Sequence, residues 1–496
     1  MPTLISFCKV LNNQQNRIEG RTRHFDVNSR YSASAIVLEK KKTFEIGDIA
    51  RLVKEEKQPK TQNLKQKRDS TSVVQKTTLA QKPAGRFQEA KTRIDGYVSA
   101  QYYYFKDLGR QRFNFSQPTV RFRLKIRNLW NRPYNFELRF RSRYNMRQRS
   151  FSENVPQREW QNRLYEFTFN YDAADAFLTY KLGRIISNAF SGVGYIDGAL
   201  ANLKLTDTFH FGVFAGTQPD WRTSDFQTEI QKYGGYFKYD RGTYGSQKIN
   251  VILAGVGEYH GGVVSREFLY FQTSYYHGRR WSFYQNLELD VNRGWRKKKA
   301  GQTVNLTGLY VNANYHITSK ISASLSYDNR KNYYTYELRN LADSLFDDAF
   351  RHGLRANFYF NVFNNYQISL NFGMREKATD ANFTYSYGLN LWRRNFFSKY
   401  NRIGFRFSGF DNIFATGFNP NLTFSRYFWG GHYLIFSYGN YYYQLKNLND
   451  NKLNQWIRIL GQIELPARFY LNSTYEYDWG NDLKGHRVLL ELGHRF

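Results

Sequence analysis

Arginine and lysine recur at every second position in two neighbouring stretches of this chain, and that spacing limits what they can do. Arg121, Arg123, Lys125 and Arg127 alternate with Val120, Phe122, Leu124 and Ile126. Arg139, Arg141, Arg143 and Arg147 alternate with Leu138, Phe140, Tyr144 and Met146, and only Ser142 breaks the apolar series. A period of two separates bases from apolar side chains on a strand, whereas a helix would smear both sets around its circumference. A hairpin keeps paired strands in matching polarity, so the two rows join into one basic double ladder. Three roles fit such a ladder. It can be an anion-attracting wall, since rings of Arg or Lys select for anions in a passage. It can stiffen the wall while acids across the interior neutralise it, the nearest in sequence being Glu137, Glu166 and Asp172. It can also contact a plug.

Catalytic chemistry has little to stand on. The nine histidines are scattered, and neither HExxH, a GxSxG elbow nor a phosphate-binding loop is present. His260, His277 and His352 fall in or near loops and form no linear motif. Cys8 is the sole cysteine, which excludes an intrachain disulfide and a thiolate metal cluster within one chain. The expectation is therefore a chain that is not an enzyme, with no catalytic residue, metal site or cofactor.

The elements that carry the ladder repeat along the chain. From Thr92 onward, runs of about ten residues alternate with period two between turn residues. Tyr165, Phe167, Phe169 and Tyr171 oppose Glu166, Thr168, Asn170 and Asp172. Ile321, Ala323, Leu325 and Tyr327 oppose serines and Asp328, and Ile368, Leu370, Phe372 and Met374 oppose Ser369, Asn371, Gly373 and Arg375. Such runs predict about 22 strands, within a range of roughly 18 to 24, in one large antiparallel transmembrane β-barrel of the all-β class. Short connectors at 130–133, 173–176, 206–208, 277–280, 318–320, 363–365, 429–432 and 466–468 alternate with longer ones near 148–159, 219–230, 292–303 and 331–350. Short periplasmic turns and long outside loops give that asymmetry.

Composition agrees. Aromatic residues make up 18% of the chain although its mean hydropathy is −0.68, a pairing that a sheet with one lipid face and one watery face accounts for. No run of 18 apolar residues occurs, so helical spans are excluded. Clusters such as Tyr102 to Phe105, Tyr427 to Trp429 and Tyr441 to Tyr443 fit an interfacial girdle, with sugar stacking inside the barrel as the sharper alternative. The net charge of +31 raises nucleic-acid binding as a question. Its distribution over barrel strands and turns points instead to lipopolysaccharide phosphates or anionic solutes, and no nucleic-acid partner is expected.

The last nine residues, VLLELGHRF, set Val488, Leu490, Leu492, His494 and Phe496 on one face. This resembles the C-terminal signal of bacterial outer-membrane β-barrel proteins, the porin-like class. The resemblance implies that the barrel-assembly machinery reads Val488, Leu490, Leu492 and the terminal Phe496. His494 departs from the apolar pattern.

Ahead of the barrel, residues 1–53 predict a small periplasmic β-domain fragment. Its segment SRYSASAIVLEKKKTFEIGDIARLV resembles the closing strands of small SH3-like β modules found before some outer-membrane barrels. Residues 54–90, rich in Lys, Gln, Thr and Ser, predict a disordered basic linker, and 91–496 the barrel. MPTLISFCKVLNNQQ lacks the basic and apolar regions of a signal peptide, so the start is expected to be truncated or misassigned for a protein of the cell outer membrane. Two functions follow as expectations. One is a pore for passive passage of small hydrophilic, possibly anionic solutes. The other is an envelope anchor whose closed barrel holds the N-terminal module to a periplasmic protein partner.

Overall fold

The computed structural model describes residues 91–496, apart from connector positions 110–112, 150–154, 174, 187–190, 221–222, 342–345, 348, 362, 364, 381 and 449, together with the backbone of four earlier strands. The chain divides into two compact units, Met1–Arg86 and Phe87–Phe496. In the first, strands Ser6–Leu11, Arg17–Ser29, Ser32–Lys40 and Ile49–Val53 form an antiparallel sheet in the order third, second, first, fourth. The expected linker 54–90 lies outside the described residues.

The second unit is a closed antiparallel β-barrel of 22 strands, each paired with its neighbours in sequence. Strands of nine to fifteen residues suit a tilted membrane crossing. The ring shuts where the last strand, Gly485–Arg495, pairs with the first, Arg93–Asp107, in the register Leu490 opposite Tyr102 and Leu492 opposite Ala100. Lipid offers no hydrogen bonds, so closure is what satisfies both edge strands. Val120, Leu253, Phe358, Leu422 and Leu490 are among the many large apolar side chains exposed on the outer surface.

Connector length sorts the two ends. At the end that holds Phe496, every connector runs three to six residues, including all eight short turns foreseen from the sequence. The opposite end carries the long ones, up to the twenty residues 331–350, but also the two-residue link Gly261–Gly262. The asymmetry is thus real in aggregate and broken at this hairpin and at the short links 412–414, 446–449 and 481–484. Gly261 and Gly262 both take positive φ, at 55° and 83°, which a two-residue antiparallel link favours and side chains resist.

The seam has its own packing. Gly96 and Phe496 exchange backbone hydrogen bonds of 3.0 and 3.1 Å. A Cβ placed on Gly96 would come within 2.6 Å of the Phe496 ring and would also collide with the Arg123 carbonyl. The ring therefore needs glycine beneath it. Gly96→Val is expected to weaken the barrel by roughly 1–3 kcal/mol through overpacking, whereas Gly255→Ala, which meets only Leu269 at 3.9 Å, should not. Urea titration of the heat-modifiable electrophoretic form checks this; equal stability of the two variants would refute the packing role of Phe496.

Candidate functional site in the barrel lumen

All eight ladder residues lie on strands Phe115–Leu129 and Tyr134–Arg147 with their side chains on the inner face. Arg121 stands opposite Arg141, Arg123 opposite Arg139, and Lys125 opposite Glu137. The ladder is divided in its charge balance. Lys125 pairs with Glu137, Arg127 lies 3.8 Å from Asp95, and Arg147 lies 3.6 Å from Glu159. Among the described residues no carboxylate comes within 4 Å of Arg121, Arg123, Arg139, Arg141 or Arg143. Arg123 and Arg139 are solvent-exposed inside the ring. Two guanidinium groups facing each other across one strand pair repel unless water or an anion separates them.

The neighbouring strand corrects one assignment made from alternation. Between Arg139 and Phe140 the pairing with Arg158–Tyr171 shifts by one residue, leaving Tyr165 as the extra residue of a bulge. Instead of joining Phe167 and Phe169 outside, its ring lies 5.2 and 5.3 Å from the guanidinium carbons of Arg139 and Arg141. Strict period two cannot register such a slip.

A second correction concerns the rest of the wall, which departs from the watery inner face that alternation and composition predict. From Tyr195–Lys204 to Val263–His277 the inner face carries an apolar patch, with charged residues such as Lys232 and Arg266 on the same strands. Ile196, Leu200, Phe214, Tyr236, Ile252, Ala254, Val256, Phe268 and Tyr270 form one buried cluster, joined by Ile185 and by Val193 from a connector. Each buried Ile, Val or Phe contributes about 1.5–3 kcal/mol. Lys232, itself paired with Glu258 at 2.9 Å, donates to the Val193 carbonyl at 2.9 Å and holds that connector on the cluster. A signal existed in the run Val251 to Val256, apolar on both faces, which is how a strand buried on both sides reads.

Connector 331–350 also folds inward, and a buried ion cluster holds it. Arg266 on the inner face reaches Asp290 at 2.7 Å and Glu288 at 2.8 Å. Arg296, on the short helix Trp295–Ala300 of connector 292–303, reaches the other Asp290 oxygen at 2.7 Å and donates to the Tyr334 carbonyl. Thr307 donates its hydroxyl to Asp290 at 2.7 Å. The rings of Tyr333 and Phe268 sit 3.6 and 4.0 Å from the Arg266 guanidinium carbon. Burial pushes the Tyr333 phenol up despite the neighbouring Arg266. Farther along, the Tyr336 amide donates to Ser265, and its ring stacks on His260 at 4.3 Å. At its return, a hydrogen bond from Lys377, with Arg351 adding to it, holds Asp347 below its ordinary value.

The aromatic clusters divide as alternation requires. Tyr103, Phe105, Tyr441 and Tyr443 face inward, and Tyr102 and Tyr104 outward. The terminal residues Val488, Leu490 and Leu492 share the outer face, with Phe496 at the seam and His494 against Phe469 at 4.6 Å. Of the loop histidines, His260 meets connector 331–350 as above, His277 stacks near Trp281, and the Nδ1 of His352 lies 3.1 Å from the Tyr327 hydroxyl.

Neither a family model nor a curated protein matches the chain. Solved structures do. The chain is similar to Acinetobacter baumannii OccAB4, at 8% identity and a TM-score of 0.39, over 83% of this chain and 100% of that one. It is similar to the translocation pore of the P pilus usher PapC, at 11% identity and a TM-score of 0.43, over 81% and 99% of the two chains. It is also similar to Pseudomonas aeruginosa OccK7, at 9% identity and a TM-score of 0.41, over 82% and 99%.

Proposed function

We propose that this protein is a pore of the bacterial outer membrane that passes small hydrophilic solutes by diffusion and prefers anions. The observation that carries the reading is the pair Arg123 and Arg139, opposite one another, solvent-exposed inside a closed ring and without a carboxylate within 4 Å among the described residues. A closed antiparallel barrel with an apolar outside spans a bilayer, and the outer membrane is where such barrels of even strand number reside. No bond need be made or broken. Basic side chains above a low-dielectric wall raise the local concentration of anions, and the inward connectors set the largest solute that passes. Val193 of one connector and Tyr333 to Tyr336 of another narrow the bore from the apolar side, so passage follows the ladder. In this setting lipopolysaccharide surrounds the outer half of the barrel, and Val488, Leu490, Leu492 and Phe496 serve as the strand that the assembly machinery engages.

Two measurements follow. In planar bilayers the wild-type protein should prefer anions, and Arg123→Glu with Arg139→Glu should shift the reversal potential toward cations. A unit charge about 7 Å away through water is worth about 0.6 kcal/mol, so each charge removed should lower the permeability ratio about threefold. An unchanged ratio would remove the ladder from the mechanism. Separately, Asp290→Asn leaves Arg266 and Arg296 without their shared counter-charge, a loss of roughly 3–5 kcal/mol where an ion pair is buried. Connector 331–350 should then leave the wall, seen as larger and noisier single-channel conductance; a conductance trace indistinguishable from wild type would show that the connector does not define the bore.

A further inference from the structure

Where the strands Phe115–Leu129 and Tyr134–Arg147 reach the end of the barrel opposite Phe496, the inner wall opens into a cavity of about 500 Å³. Its lining joins three phenyl rings, Phe105, Phe113 and Phe115, to three guanidinium groups, Arg143, Arg147 and Arg149. We propose that this cavity is an entry subsite for aromatic carboxylates. The proposal deepens the anion-pore reading and rests on it for its role in transport.

Negative charge is what the described lining of the cavity lacks. Arg143 donates through Nε to the Gln161 side-chain oxygen at 2.7 Å, and its Nη2 contacts the same atom. Its hydrogen-bond partner is therefore a neutral amide, which orients the guanidinium without cancelling it. Gln161 is itself fixed by donating to Glu159 at 2.9 Å. Glu159 is also the carboxylate nearest Arg147, at 3.6 Å, while Arg147 donates to the Pro156 carbonyl at 2.8 Å. Asp107, close by, is already committed to the amides of Gly109 and Phe113 at 2.7 and 2.8 Å. Among the described residues, Glu159 is the one carboxylate within 4 Å of any of the three guanidinium groups, and Arg141 lies next along the same face.

Shape and polarity define the rest of the ligand. Asn145, fully buried, accepts a hydrogen bond from Gln117 and makes a fixed floor. Phe115 and Phe105 lie beneath the guanidinium carbons of Arg147 and Arg487, at 5.9 and 5.4 Å, and so form an apolar wall under a basic one. Gln161 takes the Nε edge of Arg143, and a carboxylate suits the Nη1–Nη2 edge that it leaves, while a flat ring suits the phenyl wall. Acetate satisfies only the first condition.

The test uses the full chain, folded in detergent, titrated with sodium benzoate and with sodium acetate by calorimetry. Benzoate should bind about tenfold more tightly than acetate. Arg143→Gln should weaken benzoate about tenfold, Arg143→Lys less, and Phe115→Leu should weaken benzoate about threefold while leaving acetate unchanged. Heat-modifiable mobility verifies folding, and if Arg143→Gln does not fold, the benzoate to acetate ratio of the wild type and of Phe115→Leu decides. Equal affinity for the two anions, or a folded Arg143→Gln that retains wild-type affinity, overturns the proposal. Benzoate binding by a barrel that does not conduct would overturn the pore reading and leave the site standing; anion conductance without benzoate binding does the reverse.

Discussion

Everything in this barrel depends on leaving no strand edge unpaired. In hydrocarbon an unsatisfied amide or carbonyl costs several kcal/mol, and no water is present to relieve it. The pairing of Gly485–Arg495 with Arg93–Asp107 removes both edges at once. Prolines show how tight the requirement is. Pro118 and Pro420 sit inside strands, each where the ladder to one neighbour skips two positions and continues in the same register. Each strand thus forgoes hydrogen bonds on one side only, and the remaining ladder holds its place.

Closure creates an interior, and two solutions fill it. On the ladder side, cations outnumber nearby acids among the described residues, and the exposed heads of Arg123, Arg127 and Arg139 reach water, which screens like charges. On the other side the same inner face carries a patch of Ile, Val, Phe and Tyr and is covered by the chain's own connectors. The contrast explains why Arg266, Asp290 and Arg296 must be paired so thoroughly: charges among those apolar groups have no solvent to fall back on.

Much of the architecture was legible because alternation is a local property. Each strand declares its two faces, the short turns mark one end, and the strand count follows from both. The features that escaped are those in which distant parts decide. Tyr165 turns inward because a bulge forms against Arg139 and Phe140, a matter of pairing and not of pattern. Tyr333 covers Arg266 from 67 positions farther along the chain, and nothing near either residue announces it. The cavity at Arg143 escaped in another way. Its arginines were visible as a ladder, but the neutral partner of Arg143 depends on which residue of the next strand stands opposite, and Gln161 does so only in the register beyond the bulge.

Connector 331–350 is rooted beside the strands Ile321–Arg330 and Arg351–Phe360, yet its hold is on Val263–His277, three strands away around the ring. At about 4.8 Å per strand the two attachments are roughly 14 Å apart along the wall. A wide, thin hoop flattens easily under lateral pressure from the bilayer. A segment fastened at both of those places acts as a tie across part of the hoop, resisting flattening along its own direction. The ion cluster would then help to keep the hoop from ovalising as well as to narrow it, so that mechanical roundness and size exclusion share one set of side chains.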